Sequence, residues 1–101
     1  MDEQLQQQIE SLIASSNVFL FMKGTPAHPQ CGFSAQVVGI LQQQNIPFQS
    51  CDVLEHEAIR QGIKDHAHWP TIPQLYISGK FIGGCDIVTE LAESGELKKL
   101  V

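Results

Sequence analysis

Residues 18–22, Val-Phe-Leu-Phe-Met, place the strongest constraint on how this chain can fold. A short, continuous apolar run rich in strand formers, with no polar residue at alternate positions, describes a β-strand buried on both faces. Such a strand belongs in the middle of a sheet, and that sheet needs helices above and below it. The flanking sequence has the right patterns. Leu5, Ile9, Leu12 and Ile13 recur at i, i+4, i+7 and i+8, which predicts an amphipathic helix ending near residues 15–17. After the strand, Lys23-Gly-Thr-Pro-Ala-His-Pro-Gln30 must be loop, because Gly24, Pro26 and Pro29 break either periodicity. Phe33, Val37, Ile40 and Leu41 restart the helical spacing up to about Gln44, and Asn45-Ile-Pro47 stops it.

Residues 48–53 read as a second strand, and residues 55–65 as a helix with Ile59 and Ile63 inward. Residues 75–82 have the pattern of a hairpin turning at Ser78-Gly79, ended by Gly83-Gly84. Ile87, Val88 and Leu91 begin another helix, which Gly95 separates from a short terminal one carrying Leu97 and Leu100. The order α-β-α-β-α-β-β-α-α predicts an α/β fold, a small sheet with helices on both faces and the first strand central. At 101 residues the chain has the length of one domain, taken as residues 1–101.

Charge and cysteine usage narrow the function. Six Lys and Arg against eleven Asp and Glu give a net charge of −5, with no basic face large enough for a run of phosphates, so nucleic acid is excluded as a partner. The apolar run at 18–22 falls far short of the roughly 20 residues of a membrane-spanning helix. The N-terminus has no targeting pattern. Three cysteines without the paired spacing of a secreted disulfide framework point to a reducing compartment. The expectation is cytoplasmic, or an organelle matrix if a transit peptide has been removed.

In open α/β sheets ligands sit beyond the carboxyl end of a central strand, where a loop feeds the next helix. Here that loop delivers Cys31-Gly-Phe-Ser34 to a helix N-terminus. A thiol in the first turn of a helix sees unpaired N–H groups and the positive end of the dipole, and Lys23 is a candidate to favour the thiolate further. Dithiol oxidoreductases carry a second cysteine three residues on; here that position is Ser34. Cys31 can therefore form a mixed disulfide with a small thiol, or donate one bond to a metal centre, but cannot close a Cys-x-x-Cys ring. The alternative is an inert, buried cysteine. Cys51 lies in a strand pattern and reads as a core thiol, and His66-Ala-His68 lacks further ligands and reads as polar loop rather than a metal site.

Phe21-Met-Lys-Gly-Thr-Pro26 followed by Cys-Gly-Phe-Ser at 31–34, Trp69-Pro-Thr-Ile-Pro73, and Gly83-Gly-Cys-Asp86 together resemble the monothiol, CGFS-type glutaredoxins, over essentially the whole chain. The resemblance implies a thioredoxin-like fold with a small four-stranded mixed sheet. It also implies glutathione binding and handling of 2Fe-2S clusters. Lys23 matches the family lysine that faces the active thiol and the glycyl carboxylate of glutathione. Arg60 matches the arginine for the same carboxylate, and Lys64 lies at i, i+4 beside it. Thr71-Ile72-Pro73 implies a cis Ile72–Pro73 bond that presents the backbone of Ile72 to the cysteinyl part of glutathione. Gly84, Cys85 and Asp86 would receive its γ-glutamyl end, with Asp86 either pairing with the amino group or serving as an N-cap. Trp69 and Pro70 would wall the site, or Trp69 would be a buried residue with one hydrogen-bond partner. Phe33 fits a core, dimer-contact or ligand-contact role, and a disulfide between Cys85 and Cys31 is conceivable.

The implied function is a glutathione-dependent carrier and assembly factor that passes a 2Fe-2S cluster to acceptor proteins. A cluster usually takes four sulfur ligands. The resemblance implies that two Cys31 thiolates from a homodimer and two glutathiones supply them, the protein being a monomer otherwise. The alternative is a glutathione-dependent oxidoreductase acting on glutathione mixed disulfides through Cys31, with weak activity at most. Three of the six cations, Lys23, Arg60 and Lys64, would then serve one anionic tripeptide.

Overall fold

The central strand forms as its composition requires. In the computed structural model, which describes residues 1–101, β1 (Val18–Met22) is buried at every position. Alternation along it splits the core into two. Val18, Leu20 and Met22 face α2 (Gly32–Gln43) and α4 (Cys85–Ser94), where they pack with Val37, Val38, Leu41 and Val88. Phe19 and Phe21 face α1 (Glu3–Ala14) and α3 (Glu57–Ala67), among Ile9, Ile13, Ile59 and Ile63. Each buried large apolar side chain contributes about 1.5–3 kcal/mol, so both sets are needed and neither face of β1 can be left open.

The sheet order is β2-β1-β3-β4, with β2 (Gln49–Asp52), β3 (Gln74–Ile77) and β4 (Lys80–Gly83). β1 pairs parallel with β2, Phe21 opposite Cys51, and antiparallel with β3, Phe21 opposite Gln74. The sheet is thus four-stranded and mixed, with helices on both faces. The β3–β4 hairpin turns at Ser78 and Gly79, both with positive φ (52° and 80°), as the twist of a tight two-residue hairpin demands. A short α5 (Leu97–Leu100) closes the chain by burying Leu97 in the α2/α4 layer.

The third helix begins later than its apolar spacing suggests. Asp52 accepts a hydrogen bond from Leu54 N at 3.0 Å and caps a 3-10 turn over Val53–Glu55, which displaces the start of α3 from residue 55 to Glu57. The same Asp52 oxygen accepts from Gly24 N at 2.9 Å, so the end of β2 anchors the loop leaving β1.

Candidate functional site

The loop at 23–30 is held at both ends. Gly24 has φ +88° and is fully enclosed; an added Cβ would lie 2.5 Å from His28 O and 2.7 Å from Gln30 N, so only glycine fits. Gln30 N donates back to Lys23 O at 2.9 Å. The loop then releases the chain into α2 with Cys31 as the N-cap, one position earlier than the first-turn placement read from sequence. Its sulfur takes the part a capping oxygen normally plays, accepting from Ser34 N at 3.4 Å.

Ser34 is more than the site of a missing thiol. It is fully buried, and its hydroxyl accepts from Lys23 N at 3.1 Å and lies 3.6 Å from Cys31 Sγ. With its acceptor side engaged by Lys23, the hydroxyl hydrogen is free to point at a thiolate. Burial disfavours the charged sulfur. The Ser34 N–H, the Ser34 hydroxyl, the Phe33 N–H and the Lys23 charge together outweigh that, and the Cys31 thiol is held below its ordinary value. The other two thiols go the opposite way. Burial pushes Cys51 up, with Asp52 adding to it; burial pushes Cys85 up, opposed by Thr89 and reinforced by the charges of Asp86 and Cys31. All three cysteines are free.

Beside Cys31 opens a cleft of about 620 Å³. Every residue singled out from the sequence as a ligand contact lies on its wall. Lys23 comes from the end of β1, Arg60 and Lys64 from one face of α3, Thr71, Ile72 and Pro73 from the segment before β3, and Gly84, Cys85 and Asp86 from the start of α4. Cys31 itself is not part of the wall but stands at its edge, near enough to Lys23 and Cys85 for their charges to act on one another. The Ile72–Pro73 bond is cis, as expected. Gly84 is the N-cap of α4, and a Cβ there would come within 3.2 Å of Pro73 O and 3.3 Å of Trp69 Nε1, so a side chain at this position would crowd both walls of the cleft.

Several finer expectations change. Asp86 is not an N-cap: it lies in the first turn of α4, exposed, one residue beyond Cys85. Phe33 is not core; at 63% exposure it lies on the cleft rim, since α2 turns it outward while Ser34 turns in. Trp69 and Pro70 do wall the cleft, but the buried Trp69 Nε1 has no hydrogen-bond partner, and neither has the buried Nε of Arg60, whose terminal nitrogen pairs loosely with Glu57 at 3.6 Å. Two buried donors in one cleft are left unpaired, an arrangement suited to a ligand rich in acceptors. Ile87 also lines the cleft and was indistinguishable in the sequence from the core residues of the same helix.

A thiolate-stabilising N-cap beside a cis-proline turn, on a sheet with this order, defines a thioredoxin-like thiol protein. Comparison with known proteins agrees and is more specific. The sequence profile of the glutaredoxin family matches residues 18–82. A Synechocystis monothiol glutaredoxin is 48% identical over 101 residues, all of this chain and 94% of its relative. Monothiol glutaredoxin-S14 of Arabidopsis thaliana is 52% identical over 97% of this chain, which spans 57% of that protein, and for monothiol glutaredoxin-S17 of the same plant the span is 20%. The solution structure of reduced poplar apo GrxS14 superposes with a TM-score of 0.82 at 53% identity, covering 94% of this chain and 87% of that one. A buckwheat glutaredoxin–glutathione complex superposes with a TM-score of 0.86 at 27% identity, covering 99% and 92%. The chain belongs to the glutaredoxin family, in its monothiol branch.

Proposed function

We propose that this chain binds glutathione in the cleft and, as a pair of copies, carries a 2Fe-2S cluster for transfer to acceptor proteins. The observation that carries the reading is the thiol inventory. Cys31 is the one thiol held below its ordinary value, and the position one helical turn on is a buried serine. One copy therefore offers one ready thiolate. A cluster needs four sulfur ligands, and two copies with two glutathiones complete the set. Ligands that are half exchangeable small molecules suit a cargo that must be released.

In this reading Lys23, Arg60 and Lys64 pair with the glycyl carboxylate of glutathione, and the Arg60 Nε left unpaired gains an acceptor. The Ile72 backbone meets the cysteinyl part, with Thr71 and cis-Pro73 setting the turn. The N–H groups at the start of α4, at Gly84 and Cys85, receive the γ-glutamyl carboxylate, and Asp86 its amino group. No helix is long and apolar enough to cross a membrane. The reading places the protein where Cys31 stays reduced, the cytoplasm or an organelle matrix.

The lowered Cys31 thiol also favours a second reading, as nucleophile in an oxidoreductase. Its thiolate would attack the glutathione sulfur of a mixed disulfide, expel the substrate thiolate and become glutathionylated; a second glutathione thiolate would then release Cys31 and leave as glutathione disulfide. Anaerobic reconstitution with iron, sulfide and glutathione, read by visible spectrum and native mass, separates the two. A coloured dimer that Cys31→Ser abolishes and Cys51→Ser retains is expected. A colourless monomer that turns over a small glutathione mixed disulfide rapidly would replace the carrier with the enzyme.

A further inference from the structure

Apart from the Tyr76 hydroxyl, the fully buried polar side chains are Ser34 beside the thiol and Gln74 at the start of β3. An amide placed in an apolar layer costs stability unless it is fully bonded, and Gln74 is bonded at every group. Its Nε2 donates to Trp69 O at 3.1 Å and to Thr71 O at 3.3 Å, and its Oε1 accepts from Tyr76 OH at 3.2 Å. The two carbonyls belong to the segment that walls the cleft, while the amide itself lies behind that wall.

The bond to Thr71 O has a consequence on the other side of the chain. In a planar trans peptide the C=O and the next N–H point in opposite directions. The only cis bond in the chain is Ile72–Pro73, so the Thr71–Ile72 peptide is trans. With its carbonyl drawn back to Gln74, its N–H is turned toward the cleft, and Ile72 N donates to no backbone or side-chain group of the protein. We propose that Gln74 is a positioning residue of this site: by clamping the Trp69 and Thr71 carbonyls it aims the Ile72 N–H at the ligand, though it touches no ligand itself. The Tyr76 hydroxyl satisfies the amide oxygen at the far end. The inference rests on the reading of the cleft as a glutathione site, and deepens it.

Reduced glutathione binding is measured by calorimetry on the intact protein. Gln74→Met keeps the volume and removes both donors; affinity is expected to fall about 10-fold, roughly one ligand hydrogen bond, with the circular dichroism of the fold retained. Tyr76→Phe leaves both donors in place and is expected to stay within about threefold of the parent. Gln74→Glu adds a pH signature. A neutral acid has one O–H for one carbonyl and a carboxylate has none, so its affinity relative to the parent should fall as pH rises from about 5.5 to about 8. The titratable group bonded to this amide is Tyr76, which burial pushes up to about 12, above this pH range; His66 lies against the Tyr76 ring with centroids 6.1 Å apart, and repeating the ratio in a His66→Gln background removes its charge from the comparison. A ligand-free arm follows the Ile72 amide by NMR, where Gln74→Met should raise its mobility while the β3 amides stay rigid. Unchanged glutathione affinity in Gln74→Met, or an equal loss in Tyr76→Phe, overturns the proposal. A parent protein that binds no glutathione overturns the cleft assignment instead, and the NMR arm still decides the role of Gln74.

Discussion

Replacing Ser34 by alanine removes a single oxygen and tests how the active thiol is built. The hydroxyl is fully buried, accepts from Lys23 N at 3.1 Å and lies 3.6 Å from Cys31 Sγ. Two losses follow. The first is the partner of the half-buried Lys23 N–H just after β1; a buried donor left unsatisfied costs about 1–3 kcal/mol, and this one falls toward the lower end. In a domain of this size each kcal/mol lowers the melting temperature by roughly 4–8 °C. The second loss is a donor to the thiolate. Because the Ser34 and Phe33 N–H groups are untouched, the Cys31 thiol should rise only part of the way back. The sign of the pH dependence follows. A thiol lowered in the folded state stabilises the fold above its ordinary value of about 8.5, and that contribution fades as pH falls through the lowered value. Ser34→Ala gives up part of it, so the substitution should cost more stability at about pH 9 than at acid pH, once the pH has fallen through the lowered value and the thiol is protonated in both states. Thermal melts at both pH values and the pH profile of Cys31 alkylation by iodoacetamide measure the two losses separately. An alkylation midpoint that stays in place or moves down would refute the assignment of the hydroxyl as a thiolate donor.

Four other outcomes are expected. Gly84→Ala pushes a methyl against Pro73 O and Trp69 Nε1 at 3.2 and 3.3 Å, so calorimetry should show weakened glutathione binding with little change in the far-ultraviolet spectrum; unaltered binding would mean the ligand avoids this end of the cleft. Gly24→Ala combines a φ of +88° with a 2.5 Å approach to His28 O and should lower stability by about 1–3 kcal/mol or more, visible as a fall in melting temperature. Thiol labelling near neutral pH should modify Cys31 first and Cys51 last, since burial raises Cys51 and Cys85 while the α2 N-terminus lowers Cys31; peptide mass mapping reads the order. Ile63→Ala, deep between α1 and α3, should cost about 2–5 kcal/mol without changing the Cys31 alkylation midpoint.

The fold was legible in the sequence because its central strand is apolar at every position, and nothing except a sheet covered on both sides accommodates that. The cleft was legible through short motifs whose residues converge from four places in the fold, Lys23 from the loop after β1, Arg60 from α3, Ile72 from the turn and Asp86 from α4. What could not be read were roles defined by direction rather than by residue type. Ser34 stood out as an absent cysteine, whereas its function depends on which way a hydroxyl points inside a helix turn. Phe33 and Ile87 have the composition of core residues, and only the rotation of their helices puts them on the cleft. The 3-10 turn at Val53–Glu55 escaped notice because Asp52 is capped onto it by a side-chain bond that no periodicity encodes.

The stitching of the 23–30 loop also bears on motion. Lys23 N reaches Ser34, Gly24 N reaches Asp52, and Gln30 N returns to Lys23 O, while the strand they leave from is paired on both edges and sealed on both faces. The tied ends have no cheap local opening of their own; the Lys23, Gly24 and Gln30 amides should exchange with solvent deuterium on the slow timescale of the β1 amides, as members of one cooperative unit, while the exposed, unbonded Ala27 amide exchanges fast. The reactive sulfur would then keep its surroundings for as long as the domain stays folded, and lose them only when the domain unfolds.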